Sequence, residues 1–106
     1  MSLLGLDAIG SLSARICNDF AIHCPAEILS TESKDRISNK LRTALRSVNS
    51  NIAMFLAQNP VPGIVKKAVC ANRVKWGLKE RGYPKEVASE VAQKVVLALF
   101  KHGEKS

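Results

Sequence analysis

The stretch of the chain that decides its fold runs from 31 to 60 and reads TESKDRISNKLRTALRSVNSNIAMFLAQNP. Its apolar residues recur every three or four positions, which is the spacing of one face of a helix with about 3.6 residues per turn. They are Ile37, Leu41, Leu45, Val48, Ile52, Phe55 and Leu56. The pattern predicts one long central helix over about residues 31–58.

Both ends of this helix carry sequence signals. At its start, Ser30 or Thr31 is expected to act as the N-cap, and Glu32 complements the partial positive charge of a helix N-terminus. At its end, the segment from Asn59 to Gly63 contains two prolines and a glycine, which interrupt a helix. We therefore expect the chain to reverse direction there.

Three shorter helices are predicted around the long one. The first, over about residues 6–21, has apolar residues on one face and stops before Cys24-Pro25, because the residue before a proline is disfavoured in helices. The second of the three, over about residues 63–81, is either continuous or split into two pieces, because Gly77 weakens it. The last runs over about residues 84–101.

The turn before this last helix carries paired signals. Gly82 suits a left-handed C-cap, and Pro84 suits the first turn of the following helix. Because no alternating strand pattern or internal repeat occurs, the sequence predicts an all-α fold, a small four-helix bundle-like domain. The 106 residues leave room for one hydrophobic core, so residues 1–106 are expected to form a single domain.

The same turn resembles part of a known family. Residues 78–83, Leu-Lys-Glu-Arg-Gly-Tyr, followed by Val87 and Ala92, are similar to the Gly-aromatic loop of ubiquitin-associated domains and other small three-helix modules. The chain lacks a following helix at the compact spacing of that family. We carry over no function and no binding residue from the resemblance.

Composition and cysteine usage bound the class of protein. The hydrophobic fraction of 46% and the charged fraction of 24% are those of an ordinary globular domain. The longest apolar run, Val95 to Phe100, is far shorter than the roughly 20 residues that span a membrane, and no basic leader precedes the first apolar residues. Three cysteines at irregular spacings predict free thiols. We expect a cytoplasmic protein that does not bind membranes.

The positive charge is concentrated in the middle of the chain. The net charge of +7 is made up of −3 over residues 1–33, +10 over residues 34–85 and zero over residues 86–106. No acidic residue occurs between Asp35 and Glu80. Solvent-exposed surfaces usually mix charges of both signs, so this run favours an anionic partner.

Six of these cations are predicted to contact nucleic acid. Three arginines share the outer face of the long helix with amide and hydroxyl side chains, a combination that binds phosphate oxygens. The predicted contacts are Arg36, Arg42, Arg46, Lys66, Lys67 and Arg73. The leading hypothesis is non-specific binding to the backbone of DNA or RNA, although the same face also fits an ordinary solvated helix surface.

The sequence offers no catalytic or metal-binding arrangement. The neutral surface of the last helix argues against a helix-turn-helix motif around Gly82. Cys17, His23 and Cys24 do not match common zinc spacings, and the adjacent side chains of His23 and Cys24 point apart, which is unsuitable for a nucleophile and its base. We expect no enzyme activity, no metal and no cofactor.

The last helix is apolar on more than one side. If one face is buried in the core, then Val96, Leu97 and Phe100 face outward, and exposed apolar patches usually mark interfaces. A homodimer contact is one explanation, and cover by the first helix or the N-terminus is the other. The alternative function is accordingly a protein-interaction adaptor, chaperone or regulatory subunit whose cationic face meets an acidic partner.

Overall fold

The computed structural model describes residues 4–59 and 62–103, and every regular element in those two ranges is a helix. The all-α prediction is therefore confirmed. The elements are α1 (Leu4–His23), α2 (Ile28–Thr31), α3 (Lys34–Gln58), α4 (Ile64–Glu80) and α5 (Lys85–Gly103). Because α2 is a single turn, the bundle is built from the four longer helices.

The start of α3 differs from the prediction. Its N-cap is Ser33, whose hydroxyl accepts a hydrogen bond of 3.4 Å from the backbone N–H of Arg36. The prediction of Ser30 or Thr31 as the N-cap is wrong, because both hydroxyls donate to the backbone carbonyl of Glu27, at 3.2 and 3.0 Å. Such local side-chain bonds compete with capping, so the long helix begins one turn later than predicted.

The helix that follows the proline loop is one continuous element. Its bounds include Gly77 without a break, so α4 is not split into two pieces. A Cβ added at Gly77 would lie 2.7 Å from the Sγ of Cys17 on α1. The absence of a side chain at Gly77 therefore allows α4 to pack closely against α1.

The turn between α4 and α5 is closed by Gly82, which has a φ of +96°. The N–H of Gly82 donates to the carbonyl of Lys79, and the N–H of Tyr83 donates to the carbonyl of Leu78, both at 3.1 Å. These paired bonds form a Schellman motif. The predicted left-handed C-cap is confirmed, and α5 begins directly after Pro84.

The four long helices form a ring in which α1 and α5 each pack on both α3 and α4. The α3–α5 and α1–α4 seams therefore lie on opposite sides of the bundle. Within the second seam the helices are parallel, because Ser13 contacts Cys70 and, one turn further along both helices, Cys17 contacts Val74.

The core draws apolar residues from all four long helices. The rings of Phe20 and Tyr83 meet edge to face, with 5.3 Å between centroids, and the Tyr83 hydroxyl donates to the backbone carbonyl of Cys24. The amide of Asn51 on α3 donates to the carboxylate of Asp19 on α1 at 2.7 Å. All three cysteines are buried free thiols, as predicted.

Candidate nucleic-acid interface

A groove of about 480 Å³ separates the outer edges of α3 and α5. Leu41 and Leu45 pack against the core, and Arg42 and Arg46 directly follow them, so each arginine lies on the outer side of its leucine. The opposite wall comes from α5. We call this the α3–α5 groove; it is lined by Ser38, Leu41, Arg42, Leu45, Arg46, Asn49, Glu90 and Lys94.

The α3–α5 groove carries an excess of positive charge. Arg42, Arg46 and Lys94 are all exposed, and Glu90 is the one acid among the lining residues. The two arginines are four residues apart, which places them about 6 Å apart along the helix axis. The groove therefore presents two adjacent guanidinium groups on one wall and an ammonium group on the other.

Arg36 lies outside this groove, one turn into α3. Its Nε is 3.5 Å from the Oε1 of Glu32, and this is the one ion pair within residues 4–59 and 62–103. The three cations of the groove thus have no ion-pair partner among the described residues. Because the Arg36 side chain is 69% exposed, its ion pair is weak in water.

The three predicted cations of α4 do not line the α3–α5 groove. Lys66 is half-buried, whereas Lys67 is only 8% exposed and its Nζ lies 3.9 Å from the ring centroid of Phe100. The ammonium of Lys67 therefore faces the ring, unlike the exposed cation that the sequence predicted. Arg73 is exposed beside α1, where its Nη1 lies close to the backbone of Gly10.

The structure brings together only two of the six predicted contacts, Arg42 and Arg46, and adds Lys94 to them. Sequence reasoning missed Lys94 because the surface of the last helix is neutral when that helix is considered alone. Only the tertiary structure identifies Lys94, because the packing of α5 beside α3 places this lysine across the groove from the two arginines.

The three predicted interface residues differ in exposure. Leu97 is 63% exposed, whereas Val96 and Phe100 are half-buried, the latter beneath Lys67. The apolar surface on this part of α5 is therefore smaller than the sequence suggested. Other large apolar side chains with high exposure are Ile22, Met54, Ile64, Val65 and Trp76.

The cysteines are unsuited to nucleophilic chemistry at neutral pH. Burial raises the pKa of the Cys17, Cys24 and Cys70 thiols, so these groups stay protonated, whereas the thiolate is the reactive form. In the part of the chain that the structure describes, no three His, Cys, Asp or Glu side chains are grouped to hold a metal ion.

No helix among the described residues has both the length and the apolar character needed to cross a bilayer. Comparisons with protein-family models, with curated proteins and with solved structures found no significant match to this chain. The residues of the groove are therefore the basis for a functional proposal.

Proposed function

We propose that this protein binds the phosphate backbone of DNA or RNA, without sequence preference, through the α3–α5 groove. The observation that carries the proposal is the convergence of Arg42, Arg46 and Lys94 on one groove without an ion-pair partner among the described residues. The proposed role is binding, not catalysis, and it requires no metal or cofactor.

The donors of the groove match the chemistry of a phosphate backbone. The guanidinium forks of Arg42 and Arg46 bind phosphate oxygens in a bidentate manner. Ser38 and Asn49 line the same wall, and hydroxyl and amide groups also donate to phosphate oxygens. The proposal assigns these groups to the backbone, so the binding is non-specific.

The distribution of charge along α3 supports the same ligand. The helix contains no acid after Asp35, so an approaching phosphate meets no repulsion from the rest of its outer face. The acid that faces the groove, Glu90, lies on the opposite wall, on α5. Release of counterions from the nucleic acid would supply the affinity.

The experiment is a titration of fluorescently labelled duplex DNA, followed by anisotropy at a series of salt concentrations. If the three cations neutralise three phosphates, log Kobs falls against log salt with a slope of about −2.7 on duplex DNA. Reversing two charges, Arg42→Glu with Arg46→Glu, lowers affinity by about 50-fold or more at low salt and makes the slope shallower by about 2.

A matched control removes the same total charge elsewhere. Arg15 on α1 and Lys85 at the start of α5 are both exposed and do not line the α3–α5 groove. The double variant Arg15→Glu with Lys85→Glu is expected to keep most of the affinity and the slope. Equal losses in the two double variants, or no DNA binding by the unaltered protein at low salt, would contradict the proposal.

A second candidate function rests on Leu97, which lies one turn beyond Lys94 on α5 and is 63% exposed. A cationic groove beside an exposed leucine also suits an acidic protein partner, as in an adaptor, chaperone or regulatory subunit. The variant Leu97→Ser distinguishes the two functions. If the protein binds nucleic acid, this variant leaves DNA affinity unchanged. If it binds an acidic protein, this variant weakens binding to that partner.

A homodimer is the simplest partner for the apolar surface of α5. Symmetric dimers are the commonest soluble oligomers, and Leu97 with the half-buried Val96 and Phe100 would form part of the contact. Size-exclusion chromatography with light scattering measures the mass directly. A dimer mass that Leu97→Ser converts to a monomer mass supports this assembly, and a monomer at high micromolar concentration contradicts it.

A further inference from the structure

A second groove, of about 330 Å³, lies between α1 and α4, on the opposite side of the bundle from the α3–α5 groove. Its outer rim is formed by polar and aromatic side chains of α4, and its far edge is α1. We call it the α1–α4 groove, and the residues that matter are Gly10, Asn72, Arg73, Trp76, Glu80 and Arg81.

Trp76 is the main feature of the α1–α4 groove. It is the single tryptophan of the chain and is 53% exposed, although an indole is among the side chains most favourably removed from water. The Nζ of Lys79 lies 4.4 Å from its ring centroid. The indole is therefore about half exposed and has an ammonium group over one face, which a base stacking on that face would displace.

Two arginines flank this aromatic surface. Arg81 is held across the seam, because its Nη2 donates to the side-chain oxygen of Asn18 on α1 at 2.6 Å and its Nη1 donates to the carbonyl of Gly77 at 3.1 Å. Arg73 reaches α1 at Gly10, where a Cβ would lie 3.1 Å from its Nη1.

The charge around Trp76 is positive overall. Arg73, Lys79 and Arg81 outnumber Glu80, which is the one acid among the residues that line the groove. Cations placed around an exposed aromatic ring are the combination by which proteins hold single-stranded nucleic acid, with a base stacked on the ring and the backbone along the cations.

We propose that the α1–α4 groove binds single-stranded DNA or RNA, with an unpaired base stacked on Trp76 and the adjoining phosphates contacted by Arg73 and Arg81. The inference rests on the proposed nucleic-acid ligand but uses the other side of the bundle. Stacking requires an exposed base face, which a duplex conceals between its base pairs. The groove therefore discriminates in favour of single strands.

Trp76 reports on its own site, because no other tryptophan contributes to the emission. Titration with oligothymidylate is expected to quench the fluorescence, since the base stacks on the indole. A duplex of equal length is expected to bind, as measured by anisotropy, with little quenching. Unchanged emission while anisotropy shows the single strand fully bound would overturn the inference.

Substitution of the aromatic ring gives an independent measurement. Trp76→Ala is expected to weaken oligothymidylate binding by about 5- to 150-fold, the range seen for loss of one stacked base, and to leave duplex affinity unchanged. Trp76→Phe retains a smaller ring and is expected to restore part of the loss. An equal loss for both ligands, or no loss for either, would overturn the inference.

The double variant Arg42→Glu with Arg46→Glu, combined with the fluorescence of Trp76, tests the two grooves separately. If Arg42→Glu with Arg46→Glu abolishes duplex binding while oligothymidylate still quenches Trp76, both assignments are supported. If duplex binding survives that variant while quenching persists, the proposed function of the α3–α5 groove is wrong and the Trp76 site is upheld. If duplex binding is lost as proposed and oligothymidylate leaves the emission unchanged, only the Trp76 site is wrong.

Discussion

At Gly77, α4 packs so closely on α1 that there is no room for a Cβ atom. On an exposed helix, replacing glycine by alanine stabilises by about 1 kcal/mol. Here the added Cβ would lie 2.7 Å from the Sγ of Cys17, and overfilling a packed site costs typically about 1–3 kcal/mol. The steric term outweighs the helix propensity, because the sulfur atom is buried and has little room to move.

We therefore expect Gly77→Ala to lower the free energy of unfolding by about 1 kcal/mol, measured by urea titration. Cys17→Ala removes the sulfur atom and leaves a small cavity. In a double-mutant cycle, Gly77→Ala is expected to be neutral or stabilising in the Cys17→Ala background. Additive effects of the two substitutions would show that the Gly77–Cys17 contact is not the cause.

Tyr83 is a buried phenol whose hydroxyl donates to the carbonyl of Cys24. Burial raises its pKa from 10.0 to about 12. Because the folded state favours the protonated phenol, this contribution to stability is fully present below about pH 10 and is lost as the pH rises through about 12.

Tyr83 is the one tyrosine of the chain, so near-ultraviolet absorbance follows its ionisation alone. The native protein is expected to titrate with a midpoint near 12 and the urea-unfolded protein with a midpoint near 10. A native midpoint equal to the unfolded one would mean that Tyr83 is accessible to water and that its bond to Cys24 is not maintained.

The N-terminus of α3 is stabilised by a side-chain cap. Ser33 caps the helix through the N–H of Arg36, and loss of an N-cap hydroxyl typically costs about 1 kcal/mol. Ser33→Ala is expected to lower the free energy of unfolding by about that amount. Ser30→Ala is the matched control, since its hydroxyl donates to a carbonyl in an exposed turn and its removal is expected to have little effect.

The helices themselves were predictable because each carries a local signal. The apolar spacing identified the long helix to within one turn at its start, and the Gly82 turn was predicted with its left-handed backbone. The start of α3 was not predictable in detail, because three hydroxyl residues, Ser30, Thr31 and Ser33, compete for the role of N-cap. Choosing among them requires knowing that α2 forms a separate turn.

The two grooves depend on how the four long helices pack together, and the sequence could predict them only in part. Helical periodicity placed Arg42 and Arg46 on an outer face. It could not pair α3 with α5, because that pairing depends on the order of helices around the ring. For the same reason, Lys94 was missed, and the burial of Lys67 against Phe100 was not foreseen.

The excess positive charge affects the stability of the folded protein. The net charge is +7, and the described residues contain one ion pair, so like-charge repulsion destabilises the compact state. Raising sodium chloride from low to about 0.5 M screens this repulsion. The thermal midpoint is expected to rise, as measured by circular dichroism.

The variant with Arg42→Glu and Arg46→Glu has a smaller net charge and is expected to show a smaller rise with salt. It thus serves as the control for the repulsion between cations. A thermal midpoint that falls with salt, or that rises equally in the two proteins, would show that repulsion among the cations of α3 is not a significant term in stability.

The parallel packing of α1 on α4 has a consequence for synthesis on the ribosome. Ser13 and Cys17 are buried on α1, and they contact Cys70 and Val74 on α4, in each case 57 residues further along the chain. At roughly 5–20 residues per second, translation delivers those partners about 3 to 11 seconds after α1 is made. During that interval α1 lacks its α4 partners, so translation speed sets how long this part of its surface remains open to aggregation.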